Sequence, residues 1–305
     1  MEFNSVVDPL VINVLQAQTN LPPDSQPPSP PLAARPRRLS VTQIETWLRD
    51  PYAIYARHIL DLQPLDELDA APGRADLGSA IHEALDEFVH RWPRALPAEA
   101  EAELLEIGRA HFGAILSRPG AWAFWWPRFE RIARWLVAEE RAHRSSVVES
   151  LSECEGSLTL PALGGPFTLT AKADRIDRLA AGGFLLVDYK TGSLPLKKEV
   201  QLGFAPQLPL EGAILRDGSF GAVAGAPATL EFWRLTGGVP VGERRPIGED
   251  DPNKLIQSVL DRVRALIERF DDPATPYLAE PAPQWAPRYS DYRHLERVTA
   301  PEDEE

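Results

Sequence analysis

The sequence predicts an α/β fold in which a helical portion precedes a sheet. Apolar residues recur at helical spacing through much of 40–145, whereas short apolar runs and alternating apolar and polar residues characterise 150–235. An amphipathic helix is predicted over 252–270, with Pro252 early in its first turn. The chain has 305 residues, enough to build a full hydrophobic core.

The two ends of the chain are predicted to lie outside this domain, which we place at 35–300. Residues 1–34 contain one short apolar run, and proline and serine crowd 21–36, the composition of an extended linker. Residues 301–305 form an acidic tail. We expect neither end to contribute to the fold.

Composition and charge exclude several classes of protein. The net charge of −13 does not indicate nucleic-acid binding, although a nuclease could still act through a local basic groove or bound cations. The single cysteine excludes an intrachain disulfide and any all-cysteine zinc or iron–sulfur site within this chain. No apolar run approaches the ~20 residues of a membrane span, and the N-terminus lacks a secretion signal. We expect a soluble, cytoplasmic protein that binds no membrane.

The helices of the N-terminal portion are indicated by start signals and apolar stripes. Ser40 with Gln43 and Thr42 with Glu45 both fit the capping-box pattern, and Pro51 breaks or restarts the helix that begins there. Residues 77–89 place apolar side chains at helical spacing, and His82 lies at the edge of that face. A lone histidine in such a place is more often a structural or surface residue than a ligand. Two further helices are predicted, over 97–116 and 122–144.

Two groups of residues in this portion each allow two interpretations. An aromatic group could stack on nucleic-acid bases, but packing within the helical core is the preferred interpretation. An arginine group before the first helix could contact phosphates, but a solvated flank is preferred. The aromatic group is Trp122, Phe124, Trp125, Trp126, Phe129 and Trp135, and the arginine group is Arg35, Arg37 and Arg38.

Beyond residue 145 the periodicity changes to that of strands. Residues 167–179 alternate, and a glycine-containing turn at 180–183 joins them to a short apolar run. These two strands should therefore be antiparallel neighbours, which lets Asp174 approach Asp188 across the sheet. Downstream, the pattern predicts a helix over 201–215, whose start Pro206 and Pro209 leave open, and then a strand over 228–235.

One strand carries charges where a buried strand should not. Asp188 and Lys190 follow four consecutive apolar residues, and because side chains alternate along a strand they point to the same face, about 7 Å apart. Burying either charge without a partner is costly. A carboxylate beside an ammonium at the end of a core strand suits a site for a metal ion and a water. A simple salt bridge at a strand end is the alternative that this motif alone leaves open.

Two aspartates on neighbouring strands, with a lysine on the second, supply what phosphodiester hydrolysis needs. That reaction requires a divalent cation, which neutralises the phosphate and lowers the pKa of a water, and a group that activates or orients the water. Mg²⁺ prefers a few carboxylates and retains several waters. A helix that carries His82 against the sheet could add an imidazole, which suits Mn²⁺ better.

Four motifs occur in the order and spacing of a known nuclease family. They are Gly78-x-x-x-His82, Asp174-Arg175-x-Asp177, Asp188-Tyr189-Lys190-Thr191-Gly192 and Gln207-Leu208-x-Leu210. This set resembles the RecB-type nuclease of the PD-(D/E)xK superfamily. The resemblance implies a restriction-endonuclease-like fold, with a mixed central sheet flanked by helices, and a Mg²⁺- or Mn²⁺-dependent exonuclease site. It also implies that His82, Asp174 and Asp188 bind the metal, that Lys190 positions or activates the attacking water, and that Gln207 supports the site.

Two tracts, 40–52 and 289–297, resemble one branch of the family more closely. This branch is the C-terminal nuclease domain of AddB, in its alphaproteobacterial form, from the AddAB helicase–nuclease that resects double-strand breaks. The resemblance implies action on single-stranded DNA from an unwound duplex, with an AddA-type subunit as partner. Asp50 stands where many members carry an iron–sulfur cysteine, so no cluster is expected, and Glu211 stands where an aromatic residue is usual. The chain is expected to be a fragment or a separated domain of such a protein.

The favoured function is therefore a metal-dependent DNA exonuclease in double-strand-break repair. The alternative from another class is a non-catalytic nucleic-acid-binding or scaffold module that retains the fold. Loss of Asp174, Asp188 or Lys190 would have favoured that alternative, and all three are present. A third interpretation, a soluble binding protein with an incidental salt bridge, requires four ordered motifs to arise by accident.

Overall fold

The computed structural model describes residues 27–64, 73–113, 119–248, 251–287 and 289–295. The elements of its N-terminal portion are helical except for one short strand: β1 (Arg38–Ser40), α1 (Val41–Arg49), α2 (Pro51–His58), α3 (Arg74–Arg91), α4 (Ala100–His111) and α5 (Pro119–His143). The rest alternates strands with helices: β2 (Val147–Leu160), β3 (Phe167–Leu179), β4 (Phe184–Lys190), α6 (Lys197–Gln201), α7 (Gln207–Asp217), β5 (Ser219–Phe220), β6 (Pro227–Leu235), β7 (Gly242–Ile247) and α8 (Pro252–Phe270).

The strands form one 7-stranded sheet in the order β5-β2-β3-β4-β6-β7, with β1 paired to β3. Strand β4 is antiparallel to β3 and parallel to β6, which in turn is antiparallel to β7. The sheet is therefore mixed, and β4, with its Asp188 and Lys190, is an interior strand. A mixed sheet flanked by helices confirms the predicted fold class.

The two faces of β4 pack against different helices, because side chains alternate along a strand. Leu185, Val187 and Tyr189 are buried in one hydrophobic cluster with side chains of α3, α4 and α5. Asp188 and Lys190 belong to the opposite set, and both make hydrogen bonds to Gln207 at the start of α7. One face of β4 is therefore apolar, whereas the other is apolar at Phe184 and Leu186 and polar only toward its end, at Asp188 and Lys190.

The chain divides into two compact units by its internal contacts. One unit comprises 1–65, 159–169 and 261–305, and the other comprises 66–158 and 170–260. The predicted domain boundaries at 34/35 and 300/301 stay predictions, and 1–26 and 296–305 lie outside the described residues. The expectation that 1–34 contributes nothing to the fold is wrong for its last residues, because Pro28 O accepts a hydrogen bond from Tyr277 N at 2.9 Å and Pro30 O accepts one from Arg35 Nε at 3.0 Å. Among the described residues, no helix is both long and apolar enough to cross a membrane.

Of the two predicted start signals of the first helix, the one at Ser40 is confirmed, whereas Thr42 lies within the helix. Ser40 is the N-cap of α1, where its hydroxyl accepts a hydrogen bond from Gln43 N at 3.2 Å and its own N–H donates to Gln43 Oε1 at 2.9 Å. Pro51 begins α2, whose N-cap Asp50 accepts from Ala53 N at 3.2 Å. The two short helices therefore follow directly from capping residues and a proline at the first helical position.

The helix predicted over 201–215 is present, but it begins at Gln207 and not at residue 201. The structure has two helices, α6 and α7, and residues 202–206 between them are not helical. Pro206 is the N-cap of α7 and Pro209 lies in its first turn. Neither proline has an N–H to give, and the first turn of a helix is the place that tolerates this loss. The apolar pattern of 201–215 is real, but the prolines set the start at Gln207.

The two residue groups with open interpretations now have places in the structure. Phe129 and Trp126 are buried in the helical cluster, as predicted, whereas Trp122 and Phe124 are exposed. Both interpretations of Arg35 are wrong, because this side chain is buried and donates to backbone carbonyl oxygens, including Phe270 O at 2.8 Å. Arg35 therefore stabilises the C-terminal backbone of its unit and faces neither phosphate nor solvent.

Candidate active site

Asp174 and Asp188 meet across the hairpin of β3 and β4. The antiparallel register runs from Arg178 opposite Phe184 to Arg175 opposite Val187, so the next pair along this ladder is Asp174 and Asp188. Tyr189 N donates a hydrogen bond to Asp174 Oδ2 at 2.8 Å, which ties the first carboxylate to the second strand. The predicted approach of the two aspartates is confirmed.

Lys190 and Gln207 hold Asp188 in a closed hydrogen-bond network. Lys190 Nζ lies 3.0 Å from Asp188 Oδ1 and 2.9 Å from Oδ2. It also donates to Gln207 Oε1 at 2.9 Å, while Gln207 Nε2 donates to Asp188 Oδ1 at 2.7 Å. The amide of Gln207 therefore has its oxygen on the ammonium and its nitrogen on the carboxylate, the orientation that both charges favour.

His82 reaches the same place from helix α3. Its Nδ1 is 3.6 Å from Asp174 Oδ1, and its ring meets the ring of Tyr189 edge-on at 6.0 Å between centroids. Burial by itself lowers the pKa of His82, but the contact with Asp174 and the charges of Asp174 and Asp188 outweigh it, so the pKa is raised. The structure thus brings together the five site residues predicted from the sequence, which are His82, Asp174, Asp188, Lys190 and Gln207.

One residue of the cluster was missed by sequence reasoning. Glu153 of β2 joins His82 and Asp174 in a group whose candidate ligand atoms all lie within 4.8 Å of one another. Asp188 is not a member of this group. No motif marks Glu153, and strand periodicity alone says only that it shares a face with Glu155, so the sequence offers no signal that would separate the two.

Burial and like charges act together on the acids of the site. Burial, opposed by Lys190 and reinforced by Asp174, raises the pKa of Asp188 to about 6. Burial and the charges of Asp188 and Asp174 raise the pKa of Glu211 well above its ordinary value. Glu211 Oε1 accepts from Gln207 Nε2 at 3.2 Å, but Glu211 Oε2 is buried without a hydrogen-bond partner among the described residues. The buried carboxyl groups of the site therefore outnumber the buried cationic groups beside them.

This surplus is what a divalent cation would balance, so the residues fit a metal. An imidazole nitrogen with carboxylate oxygens is a donor set that Mn²⁺ accepts, and carboxylates alone suit Mg²⁺. The oxygen of Glu211 that has no hydrogen-bond partner among the described residues is consistent with this, because a buried carboxyl oxygen needs a proton, a hydrogen bond or a cation.

Arg175 and Asp177 of the second motif lie outside the site. Arg175 is fully buried and donates two hydrogen bonds to Asp177, at 2.7 and 2.9 Å. It also donates hydrogen bonds to Glu140 and to Tyr189 Oη. Its guanidinium lies 5.3 Å from the ring centroid of Trp233. These two motif residues therefore serve packing beneath the site and contact no candidate ligand atom.

This chain is similar to a known protein family and to several individual proteins. The family model described as the PD-(D/E)XK nuclease superfamily matches residues 38–286. An uncharacterised protein of Rickettsia bellii (strain RML369-C) is 30% identical over 185 residues, which are 61% of this chain and 22% of that protein. An ATP-dependent helicase/deoxyribonuclease subunit of Moorella thermoacetica is 27% identical over 263 residues, 77% of this chain and 22% of that protein.

The chain thus spans about a fifth of the length of the curated relatives it matches. A solved crystal structure, that of SSO0001, aligns over 85% of each chain with 13% identity and a TM-score of 0.36, a likeness too low to carry an argument. The family match, in contrast, covers β1 to beyond α8 and includes every element of the candidate site. The chain therefore belongs to the PD-(D/E)XK nuclease superfamily.

Proposed function

We propose that this chain is a metal-dependent DNA exonuclease domain that hydrolyses phosphodiester bonds. The observation that carries the proposal is the network in which Lys190 and Gln207 hold Asp188 beside Asp174. A structural salt bridge needs one acid and one base. Here a second aspartate, a histidine and an oriented amide converge on the pair, which a strand-end salt bridge does not require.

In the proposed mechanism His82, Asp174 and Asp188 hold the cation. When bound, a divalent cation at such a site neutralises the phosphate and lowers the pKa of a water. Lys190 orients or activates the attacking water, whose oxygen bonds to phosphorus as the bond to the leaving sugar oxygen breaks. The water gives up a proton, and the leaving oxygen takes one. Gln207 keeps the Lys190 ammonium in place through its amide oxygen.

The proposed substrate is single-stranded DNA delivered from an unwound duplex, with an AddA-type helicase–nuclease subunit as partner in double-strand-break repair. The support is the Moorella relative, whose name describes an ATP-dependent helicase/deoxyribonuclease subunit and of which this chain matches 22%. The net charge of −13 agrees with delivery by a partner, because bulk charge does not attract DNA to this chain.

The test is degradation of end-labelled single-stranded DNA by the purified chain with Mg²⁺, with Mn²⁺ and with EDTA. Cleavage should require the metal and should fall by about a hundredfold or more in Lys190→Ala, the scale expected for loss of a group that moves or orients a proton. Lys254→Ala is the matched control, because this lysine is largely exposed and lies outside the site. Cleavage that persists in EDTA, or wild-type rates in Lys190→Ala, would contradict the proposal.

Two further arms separate the finer parts of the proposal. A circular single strand should survive, since an exonuclease needs an end, and its cleavage would show an endonuclease instead. If the wild-type chain is silent alone, adding the AddA-type subunit with ATP and duplex DNA should restore degradation. Silence there as well would favour the alternative, a non-catalytic DNA-binding or scaffold module with the nuclease fold.

A further inference from the structure

Glu153 has a backbone conformation that is unusual for its residue type and place. It lies inside strand β2, yet its φ is +51°, in the left-handed region that residues other than glycine seldom adopt. A residue in this conformation interrupts the regular alternation of a strand and changes the direction of its side chain, as in a β-bulge. From this conformation the Glu153 carboxylate reaches the cluster, which the sequence pattern does not predict.

The direction that Glu153 takes is toward the candidate metal ligands. Its carboxylate, His82 and Asp174 offer one imidazole nitrogen and two carboxylate oxygens within 4.8 Å of one another. A divalent cation at ordinary ligand distances of about 2.0–2.6 Å can touch atoms spaced in this way. The three residues come from α3, β2 and β3, so none of them is brought near the others by sequence proximity.

The Glu153 carboxylate already has a cationic partner, Lys172 of β3, with which it forms an ion pair. The side chain of Lys172 is 56% exposed, so its ammonium can leave for solvent at little cost. A cavity of about 570 Å³, lined by residues that include His82, Glu153 and Lys172, gives a cation access to the cluster. A divalent cation can therefore replace the Lys172 ammonium beside the Glu153 carboxylate.

An observation outside this cluster points to the same missing charge. Glu211, on α7, is 1% exposed and has one carboxylate oxygen without a hydrogen-bond partner among the described residues. Gln207 links Glu211 to Lys190 by hydrogen bonds to both side chains, but the Lys190 ammonium already donates a hydrogen bond to Asp188. The acids around Asp174 and Asp188 therefore need more positive charge than these side chains give.

We propose that Glu153 is a further ligand of the divalent cation, and that the metal displaces the Lys172 ammonium from it. This inference rests on the proposed function, since it concerns the same cation. It adds a carboxylate from β2 to the ligands expected from the family motifs. It also assigns Lys172 a role opposite to that of the ligands, because the ammonium competes with the metal for the Glu153 carboxylate.

The test is isothermal titration of Mn²⁺ into the full chain without DNA. Glu153→Gln should weaken binding by about tenfold or more, since the loss of even an outer-sphere partner costs that much in metal affinity. Lys172→Gln should tighten binding, because it removes the competitor. Glu155→Gln is the matched control and should leave the affinity unchanged, because Glu155 is an exposed acid of the same strand whose charge also acts on Lys172.

A purely structural ion pair predicts a different pattern. In that case Glu153→Gln and Lys172→Gln lower the thermal stability alike and neither changes the Mn²⁺ affinity, which would overturn the inference. Glu153→Gly separates ligation from folding, because glycine accepts the positive φ without strain. We expect Glu153→Gly to melt no lower than wild type and to bind Mn²⁺ as weakly as Glu153→Gln, and wild-type affinity in Glu153→Gly would refute the ligand role.

Asp174→Asn distinguishes failure of this inference from failure of the proposed function. If Asp174→Asn weakens Mn²⁺ binding and Glu153→Gln does not, the cation site stands and Glu153 is not part of it. If the wild-type chain binds no Mn²⁺, both the proposed metal site and the role of Glu153 fail. Tight wild-type binding that weakens in both variants and strengthens in Lys172→Gln supports the inference in full.

Discussion

Replacing Arg175 with glutamine should destabilise the fold severely without removing any candidate ligand. The guanidinium is fully buried and satisfies two buried carboxylates, Asp177 and Glu140. Removing one partner of a buried ion pair costs about 3–5 kcal/mol, because the remaining charge stays buried. Asp177 keeps His143 Nε2 at 3.2 Å and Glu140 keeps Arg144 Nη2 at 2.8 Å. These contacts offset part of the loss, so we expect a decrease of about 3 kcal/mol in the free energy of unfolding.

Urea unfolding at pH 7, followed by fluorescence and by circular dichroism, measures this decrease. Arg178→Gln is the matched control, since Arg178 lies on the same strand but is exposed, with its guanidinium 5.2 Å from the ring centroid of Phe184. Loss of an exposed contact of this kind costs about 0.5–1 kcal/mol. An Arg175→Gln variant within about 1 kcal/mol of wild type would refute the argument that this ion cluster stabilises the sheet.

The pH dependence gives a second check on the same residues. Burial raises the pKa of Asp177, but Arg175 and the hydrogen bonds from His143 and Ser150 outweigh it and hold that pKa well below its usual value. A carboxyl with a lowered folded pKa contributes stability above its unfolded pKa of about 3.9, and this contribution is lost as the pH falls through the folded value. Without Arg175, less positive charge opposes the effect of burial on the pKa of Asp177, so Asp177 should become protonated at a higher pH in the variant than in the wild type. That protonation removes a buried unpaired charge from the variant. The stability deficit of Arg175→Gln should therefore shrink between pH 7 and about pH 4, and a deficit that grows on acidification would contradict this account.

Two further substitutions test the site and the helical core. His82→Ala should slow DNA cleavage, and more in Mn²⁺ than in Mg²⁺, because imidazole suits Mn²⁺ better; His90→Ala, on the exposed side of the same helix, is the control, and equal rates in all three proteins would return His82 to a structural role. Gly108→Ala should lower the melting temperature, because a Cβ there would lie 2.0 Å from Phe129 Cε1 and overpacking costs about 1–3 kcal/mol. The Cβ of Gly113→Ala meets no atom of the described residues within 4 Å, so this variant should melt like wild type, and equal melting of the two alanine variants would contradict the packing argument.

The parts of the fold that the sequence predicted are those fixed by local chemistry. The capping residue Ser40 fixes the start of α1, and the turn at 180–183 with its flanking alternation fixes the antiparallel pairing of β3 and β4. That pairing alone places Asp174 opposite Asp188. The positions of Asp174 and Asp188 therefore follow from the hairpin and from the alternation of side chains along its strands, and they do not depend on distant contacts.

The parts that escaped prediction depend on distant contacts. Arg35 is buried because backbone carbonyls of 270–275 surround its guanidinium, and no residue near Arg35 in the sequence signals those acceptors. Glu153 belongs to the cluster and has a positive φ, and the strand pattern encodes neither feature. Such a conformation costs of order 1–3 kcal/mol and persists only where the surrounding structure compensates for it. The sequence can show the residue types of a site, but it cannot show which backbone will bear strain to complete it.

The balance of buried charge explains why the residues of the four motifs do not by themselves complete the candidate active site. Asp188 is 1% exposed and Glu211 equally so, yet Lys190 is the one lysine of the motifs that hold them. Burial and mutual repulsion raise the pKa of Asp188 to about 6, and the pKa of Glu211 well above its usual value. Acids that resist ionisation in this way become good ligands once a divalent cation shares their field, because the cation replaces the proton as the balancing charge. A strand that buries Asp188 therefore makes chemical sense as part of a cation site, and much less as half of a salt bridge.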